Sequence, residues 1–167
     1  MPPPYVEKKV ENIIYYYYAK LVIAPSAGFK NNYGFIINAY KALKSGELLM
    51  SDYEREIFLI AQDQTVCAFC ECEERKLLTV HVVPRMFGVP PGIHNFVYAC
   101  PDCSDSKKEK DLVEWWCADL GKPRDEIPRV PLGIYLKIAY ELNKINFSLK
   151  KPCKRLGDVY SYVKQSS

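Results

Sequence analysis

Two short stretches, Cys67-Ala68-Phe69-Cys70 and Cys100-Pro101-Asp102-Cys103, decide the fold. Each is a CxxC turn that places two thiols at the spacing of a metal-binding knuckle. Zinc takes four ligands in a tetrahedron, so the two turns together supply a complete set of four thiolates. The alternative is two buried thiol pairs or two disulfides, and disulfides need an oxidising compartment that nothing in the sequence indicates. We therefore predict a structural Zn²⁺ site with Cys67, Cys70, Cys100 and Cys103 as its ligands.

Length and composition indicate a globular chain with one domain, or a small zinc module within a helical domain. Of the 167 residues, 49% are hydrophobic, which is enough to form a core. The most apolar stretch, 13–25, is too short to span a bilayer and contains Lys20. No basic region leads into an apolar one at the N-terminus. We therefore expect a cytoplasmic, intracellular protein with no membrane partner, in which Cys72, Cys117 and Cys153 are buried free thiols.

Three segments carry apolar residues at the spacing of an amphipathic helix. They are 13–22, 36–43 and 131–144. Pro25 and Gly28 should end the first helix, and Gly46 should end the second. A capping box at Ser51 predicts a further helix that begins there. The four consecutive tyrosines, 15–18, fall partly on the apolar stripe, which favours core packing over a stacking surface.

The middle of the chain changes to strand patterns. Segment 77–83 is β-branched and apolar up to Pro84, segment 86–92 is rich in glycine and proline, and segment 95–99 is a second short strand that leads into the second knuckle. A capping box at Ser106 predicts that a helix begins there, and Trp115 and Trp116 on it are more typical of a core than of base-stacking surfaces.

The order of elements therefore predicts an α+β fold, with a small zinc-bound ββα module embedded in a mainly helical domain. We expect a helical region over 1–64, the zinc module over 65–120, and a helical region over 121–167 that packs on the module.

The segment 67–116 resembles the HNH endonucleases, the ββα-metal nucleases, in their zinc-knuckled branch. The matching motifs are the first knuckle, Leu78-Thr79-Val80-His81-Val82-Val83-Pro84-Arg85, His94-Asn95-Phe96-Val97-Tyr98-Ala99 with the second knuckle, Lys107, and Lys110-Asp111-Leu112-x-Glu114-Trp115. They cover less than a third of the chain. The resemblance implies hydrolysis of DNA phosphodiester bonds with one catalytic divalent ion, Mg²⁺ or Mn²⁺, and double-stranded DNA as the partner.

The resemblance also assigns roles to single residues. His81 would be the general base that takes a proton from water, and Asn95 would tie the loop between the strands. The family places metal ligands directly before the histidine and directly after the second knuckle. This chain has Val80 and Ser104 there. Valine cannot bind a metal ion, and serine is at best a weak ligand. Asp105 and Asp102 are near in sequence and could substitute, so Ser104 and Asp105 are the candidate contacts to the catalytic ion.

Basic residues near the second knuckle are the candidate contacts to nucleic acid, although a solvated charged face is the alternative for such runs. They are Arg85, Lys107, Lys108 and Lys110. His94 could donate to a phosphate or cap the turn before its strand. Without the resemblance, His81 would be interpreted as a hydrogen-bonded strand histidine. Two functions remain open: a metal-dependent DNA endonuclease, and a non-catalytic zinc-dependent DNA-binding protein on a degenerate HNH scaffold. Either could be a homodimer.

Overall fold

The computed structural model describes residues 2–50, 65–74 and 76–165. Helices dominate this part of the chain and two antiparallel strands form a small sheet, in agreement with the expected α+β fold. The helices are α1 (Val10–Tyr18), α2 (Ala24–Ser26), α3 (Tyr33–Ser45), α4 (Pro101–Lys107), α5 (Leu112–Glu114) and α6 (Arg129–Ile145); the strands are β1 (Leu78–His81) and β2 (Phe96–Ala99). Within the described ranges, no helix has the length and apolarity that a bilayer crossing requires.

The first helix runs past the proline that we expected to end it. A π-helical stretch, Ala19–Ile23, joins α1 to α2, and Pro25 lies inside α2. The Ala24 N–H already donates to the Ala19 carbonyl five residues earlier. The backbone hydrogen bonds have therefore changed from α-helical to π-helical spacing before Pro25, which has no N–H to donate. This change reduces the penalty for a proline inside the helix. The chain leaves the helix at Gly28, whose φ of +82° suits glycine.

The second and last predicted helices are confirmed. In α3, the Asn32 side chain caps the N-terminus by accepting from the Phe35 N–H, and Gly46 ends the helix with a left-handed φ of +85°. The last helix, α6, is slightly longer than the predicted 131–144. The helix predicted to begin at Ser51 lies outside the described residues.

The main core lies where α1 packs against α3 and α6. Tyr16, Tyr17 and Tyr18 are buried in it, which confirms that most of the tyrosine run is core. Trp115 and Trp116 are buried as well, and their indole N–H groups donate to the Ser106 hydroxyl and the Pro123 carbonyl. The tryptophans are therefore core residues, as predicted.

The two strands form a hairpin in which His81 pairs with Phe96 and Val80 pairs with Val97. Val80, Val97 and Ala99 are buried on one face, while His81 and Phe96 are half-buried. The faces alternate because successive strand residues point to opposite sides. Strand β1 is shorter than the predicted 77–83.

The prediction that a helix begins at Ser106 is wrong. Instead, α4 begins directly at the second knuckle: Pro101 is its first residue, and the Cys100 sulfur caps it by accepting from the Cys103 N–H. Ser106 lies near the C-terminal end of α4. A separate helix, α5, begins after Asp111, whose carboxylate accepts from the Glu114 N–H and takes the capping role that we assigned to Ser106.

Candidate metal centre and histidine site

The four predicted zinc ligands come together in space. The sulfur atoms of Cys67, Cys70, Cys100 and Cys103 all lie within 4.8 Å of one another, and those of Cys70 and Cys100 are 3.7 Å apart. A tetrahedral ion with metal–sulfur bonds of about 2.3 Å would separate its sulfur ligands by about 3.8 Å. The cluster therefore has the dimensions and the donor chemistry to hold a structural metal ion.

Backbone hydrogen bonds explain how the knuckles meet. The Ala68 N–H donates to the Tyr98 carbonyl at 2.9 Å, which holds the first knuckle against β2. Since β2 leads straight into Cys100, this contact brings both thiol pairs to one end of the hairpin. Within the first knuckle, the Cys67 sulfur accepts from the Phe69 N–H, and the Cys67 N–H donates to the Cys72 carbonyl.

The three other cysteines are free thiols, but only Cys153 is buried. Cys117 is half-buried on the π-helical turn Trp115–Asp119 that continues α5. Cys72 is also half-buried, and its carbonyl accepts from the Cys67 N–H at 2.9 Å within the first knuckle. The expectation that all three are buried is therefore correct for Cys153 alone.

His81 lies at the end of β1 and contacts a carboxylate that follows α4. Its Nδ1 atom is 3.2 Å from Oε1 of Glu109, and 41% of its side chain is exposed. Arg85 donates to the same carboxylate twice, from Nε to Oε1 at 3.0 Å and from the backbone N–H to Oε2 at 3.1 Å. The result is a half-exposed cluster of one imidazole, one carboxylate and one guanidinium.

Lys107 is a fully buried lysine beneath this cluster. Its ammonium donates to the carbonyls of His81, at 2.7 Å, and Lys110, at 2.9 Å. Burial lowers the pKa of the Lys107 ammonium to about 8, against the opposing effect of the nearby carboxylates of Asp111 and Glu109. Lys107 therefore ties the end of β1 to the chain after α4, and it does not present its charge to a phosphate as we predicted.

Asn95 links the two ends of the loop between the strands. Its amide donates to the Val83 carbonyl and accepts from the Val83 N–H, both at 2.8 Å, and its own carbonyl accepts from the Val82 N–H at 3.1 Å. The side chain is buried, so these bonds are shielded from water. They hold the chain that follows His81 in one place.

The candidate contacts to a catalytic ion do not all face His81. Val80 is buried on the opposite face of β1. Asp102 and Asp105 are exposed, whereas Cys103 and Lys107 mark the inward face of the same helix. Helical geometry places Asp105 nearly opposite that face. Ser104 is half-buried at the edge between the two. Its hydroxyl is the better placed of the two predicted contacts, and one hydroxyl alone is a weak set for Mg²⁺ or Mn²⁺.

The predicted nucleic-acid contacts now divide by their surroundings. Lys108 is exposed, and so is Lys110, whose ammonium donates to Asp119 at 2.6 Å. Arg85 is exposed but bonded to Glu109. Glu109 also lines an open cavity of about 410 Å³, together with Lys110, Asp111, Glu114 and Asp119. The charge on this side of the cluster is therefore mixed and not uniformly basic.

His94 packs against the first residue of β2, with its ring centroid 4.2 Å from that of Phe96. Phe96 in turn lies 5.8 Å from Tyr98. This packing accounts for the position of His94 at the start of the strand.

Glu109 is the residue of this site that sequence reasoning missed. In the sequence it was interpreted as the last member of the capping box that begins at Ser106. Instead, α4 ends at Lys107 and the chain turns at Lys108, which has a φ of +51°. This turn places the Glu109 side chain in contact with His81. The only sequence signal is that Glu109 follows the knuckle helix closely, at the end of the module that carries His81.

The chain matches no protein-family model, no curated protein and no solved structure at a significant level. The HNH resemblance accordingly stays a prediction.

Proposed function

We propose that the segment from Cys67 to the end of α5 is a zinc-stabilised ββα module of the HNH type that hydrolyses DNA phosphodiester bonds, with His81 as the general base. The observation that carries the proposal is the order in space: hairpin, four-cysteine cluster and helix follow one another directly, and His81 ends β1 beside the chain that leaves the helix. Zn²⁺ is the ion proposed for the cluster, because four thiolates at these separations suit its tetrahedral preference.

The proposed chemistry depends on the exposure of His81. With 41% of its side chain in contact with solvent, the imidazole can accept a proton from an attacking water molecule. A well-placed general base contributes about 10²–10⁴-fold to a rate. When bound, Mg²⁺ or Mn²⁺ would supply charge stabilisation at the phosphate. Asn95 supports the base by holding the residues that follow it in place.

The second candidate is a non-catalytic zinc-dependent DNA-binding protein on a degenerate HNH scaffold. The burial of Val80 favours it, because an aliphatic core side chain occupies a position at which the family has a metal ligand. Exposed lysines would make the DNA contacts, and Lys108, Lys151 and Lys154 are such residues. Binding of this kind is electrostatic and weakly dependent on base sequence.

Nicking of supercoiled plasmid separates the two candidates. The zinc-loaded natural protein would be incubated with plasmid and Mg²⁺, Mn²⁺ or Ni²⁺, beside the variants His81→Ala and His94→Ala. The chain has two histidines, so His94→Ala is a matched control that removes the other imidazole. If the protein is an endonuclease, we expect it to nick the plasmid, and we expect this nicking to be lost in His81→Ala and retained in His94→Ala.

Salt-dependent DNA binding without nicking would favour the second candidate. Nicking that survives in His81→Ala would contradict the assignment of the base. Absence of both nicking and binding by the zinc-loaded protein would contradict both candidates.

A further inference from the structure

We infer that Glu109 is a positioning residue for His81: its carboxylate holds the imidazole with the proton on Nδ1 and leaves Nε2 as the atom that accepts a proton. The inference deepens the proposed function and rests on it for its chemical purpose. The tautomer itself can be observed whether or not the protein cleaves DNA.

The geometry at Nδ1 carries the inference. Oε1 of Glu109 lies 3.2 Å from Nδ1, within hydrogen-bonding distance. A carboxylate oxygen only accepts hydrogen bonds when it is ionised, so Nδ1 must be the donor. In the neutral imidazole one nitrogen donates and the other accepts, which leaves Nε2 unprotonated.

Arg85 keeps the carboxylate ionised and oriented. Burial raises the pKa of the Glu109 carboxyl. Hydrogen bonds from the Arg85 backbone N–H and from His81 lower this pKa, and together the lowering effects are larger, so the net shift is downward. The Arg85 side chain adds a third donor at 3.0 Å. Since both oxygens are engaged, rotation of the carboxylate away from His81 would break the bonds to Arg85 as well.

The backbone around Glu109 is also held. The positive φ of Lys108 turns the chain back towards β1 directly before Glu109. Lys107 and Lys110 lie on either side of Glu109 in the sequence. The Lys107 ammonium donates to the backbone carbonyls of both Lys110 and His81. One buried cation therefore connects the backbone around Glu109 to the backbone of His81, in addition to the hydrogen bond between their side chains.

The purpose of such an arrangement is to choose the atom that reacts. A carboxylate at one imidazole nitrogen fixes the tautomer and the ring orientation, and it stabilises the imidazolium that forms when the other nitrogen takes a proton. Here the engaged atom is Nδ1, and 41% of the side chain is exposed, so we assign the proton-accepting role to Nε2.

The test is the tautomeric state of His81, measured by long-range proton–nitrogen correlation NMR on the zinc-loaded protein at a pH where the ring is neutral. Two histidines give two ring patterns, and His94→Ala identifies the one from His81. The natural protein should show the proton on Nδ1. Glu109→Ala removes the acceptor at Nδ1, so the ring should shift towards the Nε2-protonated form. Glu114→Ala is the matched control, because it removes the same charge from the same cavity while Glu109 remains in place.

An Nε2-protonated His81 ring in the natural protein would overturn the inference. So would an unchanged tautomer in a folded, zinc-loaded Glu109→Ala protein. If the natural protein nicks DNA, Glu109→Ala should lower the rate about a hundredfold with little change in substrate affinity, while Glu114→Ala stays close to the natural rate. If the natural protein does not nick DNA but shows the Nδ1 proton, the proposed function fails and the positioning of His81 by Glu109 stands.

Discussion

The buried ammonium of Lys107 should make the protein more stable as the pH rises from neutral to mildly alkaline values. Its pKa is about 8 in the folded protein, compared with an ordinary value of 10.5. Between these two values the unfolded chain binds the proton and the folded protein does not. Stability increases with pH wherever the unfolded state binds more protons, so the sign is positive.

The magnitude follows from the size of the shift. Each pKa unit is worth about 1.4 kcal/mol, so the folded protein at neutral pH carries a penalty of about 3 kcal/mol for the buried charge. Between about pH 7 and about pH 9.5, roughly 2 kcal/mol of this penalty should disappear as the ammonium loses its proton.

The measurement compares the natural protein with Lys107→Met, which preserves much of the side-chain length and cannot titrate. Urea unfolding would be followed for both proteins across this pH range at one fixed concentration of free zinc. Metal binding and the titration of tyrosines cancel in the difference between the two. The variant also loses the bonds to the carbonyls of His81 and Lys110, and this cost does not depend on pH.

We therefore expect the unfolding free energy of the natural protein to rise relative to that of Lys107→Met by about 2 kcal/mol across the range. A difference that stays constant with pH would refute the reasoning, because it would mean that the lysine keeps its proton in the folded protein or is hydrated there.

Cys103→Ser should abolish stoichiometric zinc in elemental analysis and lower the unfolding temperature sharply, since structural zinc contributes on the order of 10 kcal/mol in small modules; Cys117→Ser should retain the metal, and equal zinc content in both variants would contradict the ligand set. Val80→Asp should lower the unfolding free energy by about 3–5 kcal/mol because it leaves an unpaired charge in the core. Thr79→Asp, at an exposed position of the same strand, should cost little. Similar urea midpoints for the two variants would show that Val80 is not a core residue. Lys108→Glu should weaken binding to all duplexes alike and reduce the slope of log affinity against log salt, measured by fluorescence anisotropy; an unchanged slope would remove Lys108 from the contact surface.

The sequence contained enough to predict the hairpin and the cysteine cluster, because both depend on short-range patterns. Two CxxC turns specify that four sulfurs must meet, and the apolar, β-branched segments 77–83 and 95–99 predict the two strands. The HNH resemblance predicted that Asn95 ties the loop between the strands, and its two bonds to Val83 are local in the fold.

The position of the helix after the knuckle could not be decided in this way, because three residues compete to cap it. Ser106 and Asp111 are residue types that commonly cap helices, and the Cys100 sulfur can also accept from a backbone N–H. Cys100 caps α4 because Pro101 favours the first turn of a helix. Asp111 caps α5 and is held by the hydroxyl of Tyr135, which comes from α6. The contact with Tyr135 depends on tertiary structure and left no sign in the local sequence. Because α4 begins at Pro101 and not at Ser106, Glu109 lies after the helix and contacts His81, which the sequence pattern did not predict.

The cysteine cluster also bears on how the protein folds. Cys70 and Cys100 are 30 residues apart, and closing a loop of that length costs about 3–4 kcal/mol of chain entropy. Because Cys100 both caps α4 and belongs to the cluster, a helix of only seven residues begins at the point where this loop closes. Helices so short are not stable alone. During synthesis the first thiol pair appears well before the second, so a metal ion captured early would have half of its ligands until β2 has emerged. We expect the hairpin, the metal centre and α4 to form together in one late step and not in the order of the chain.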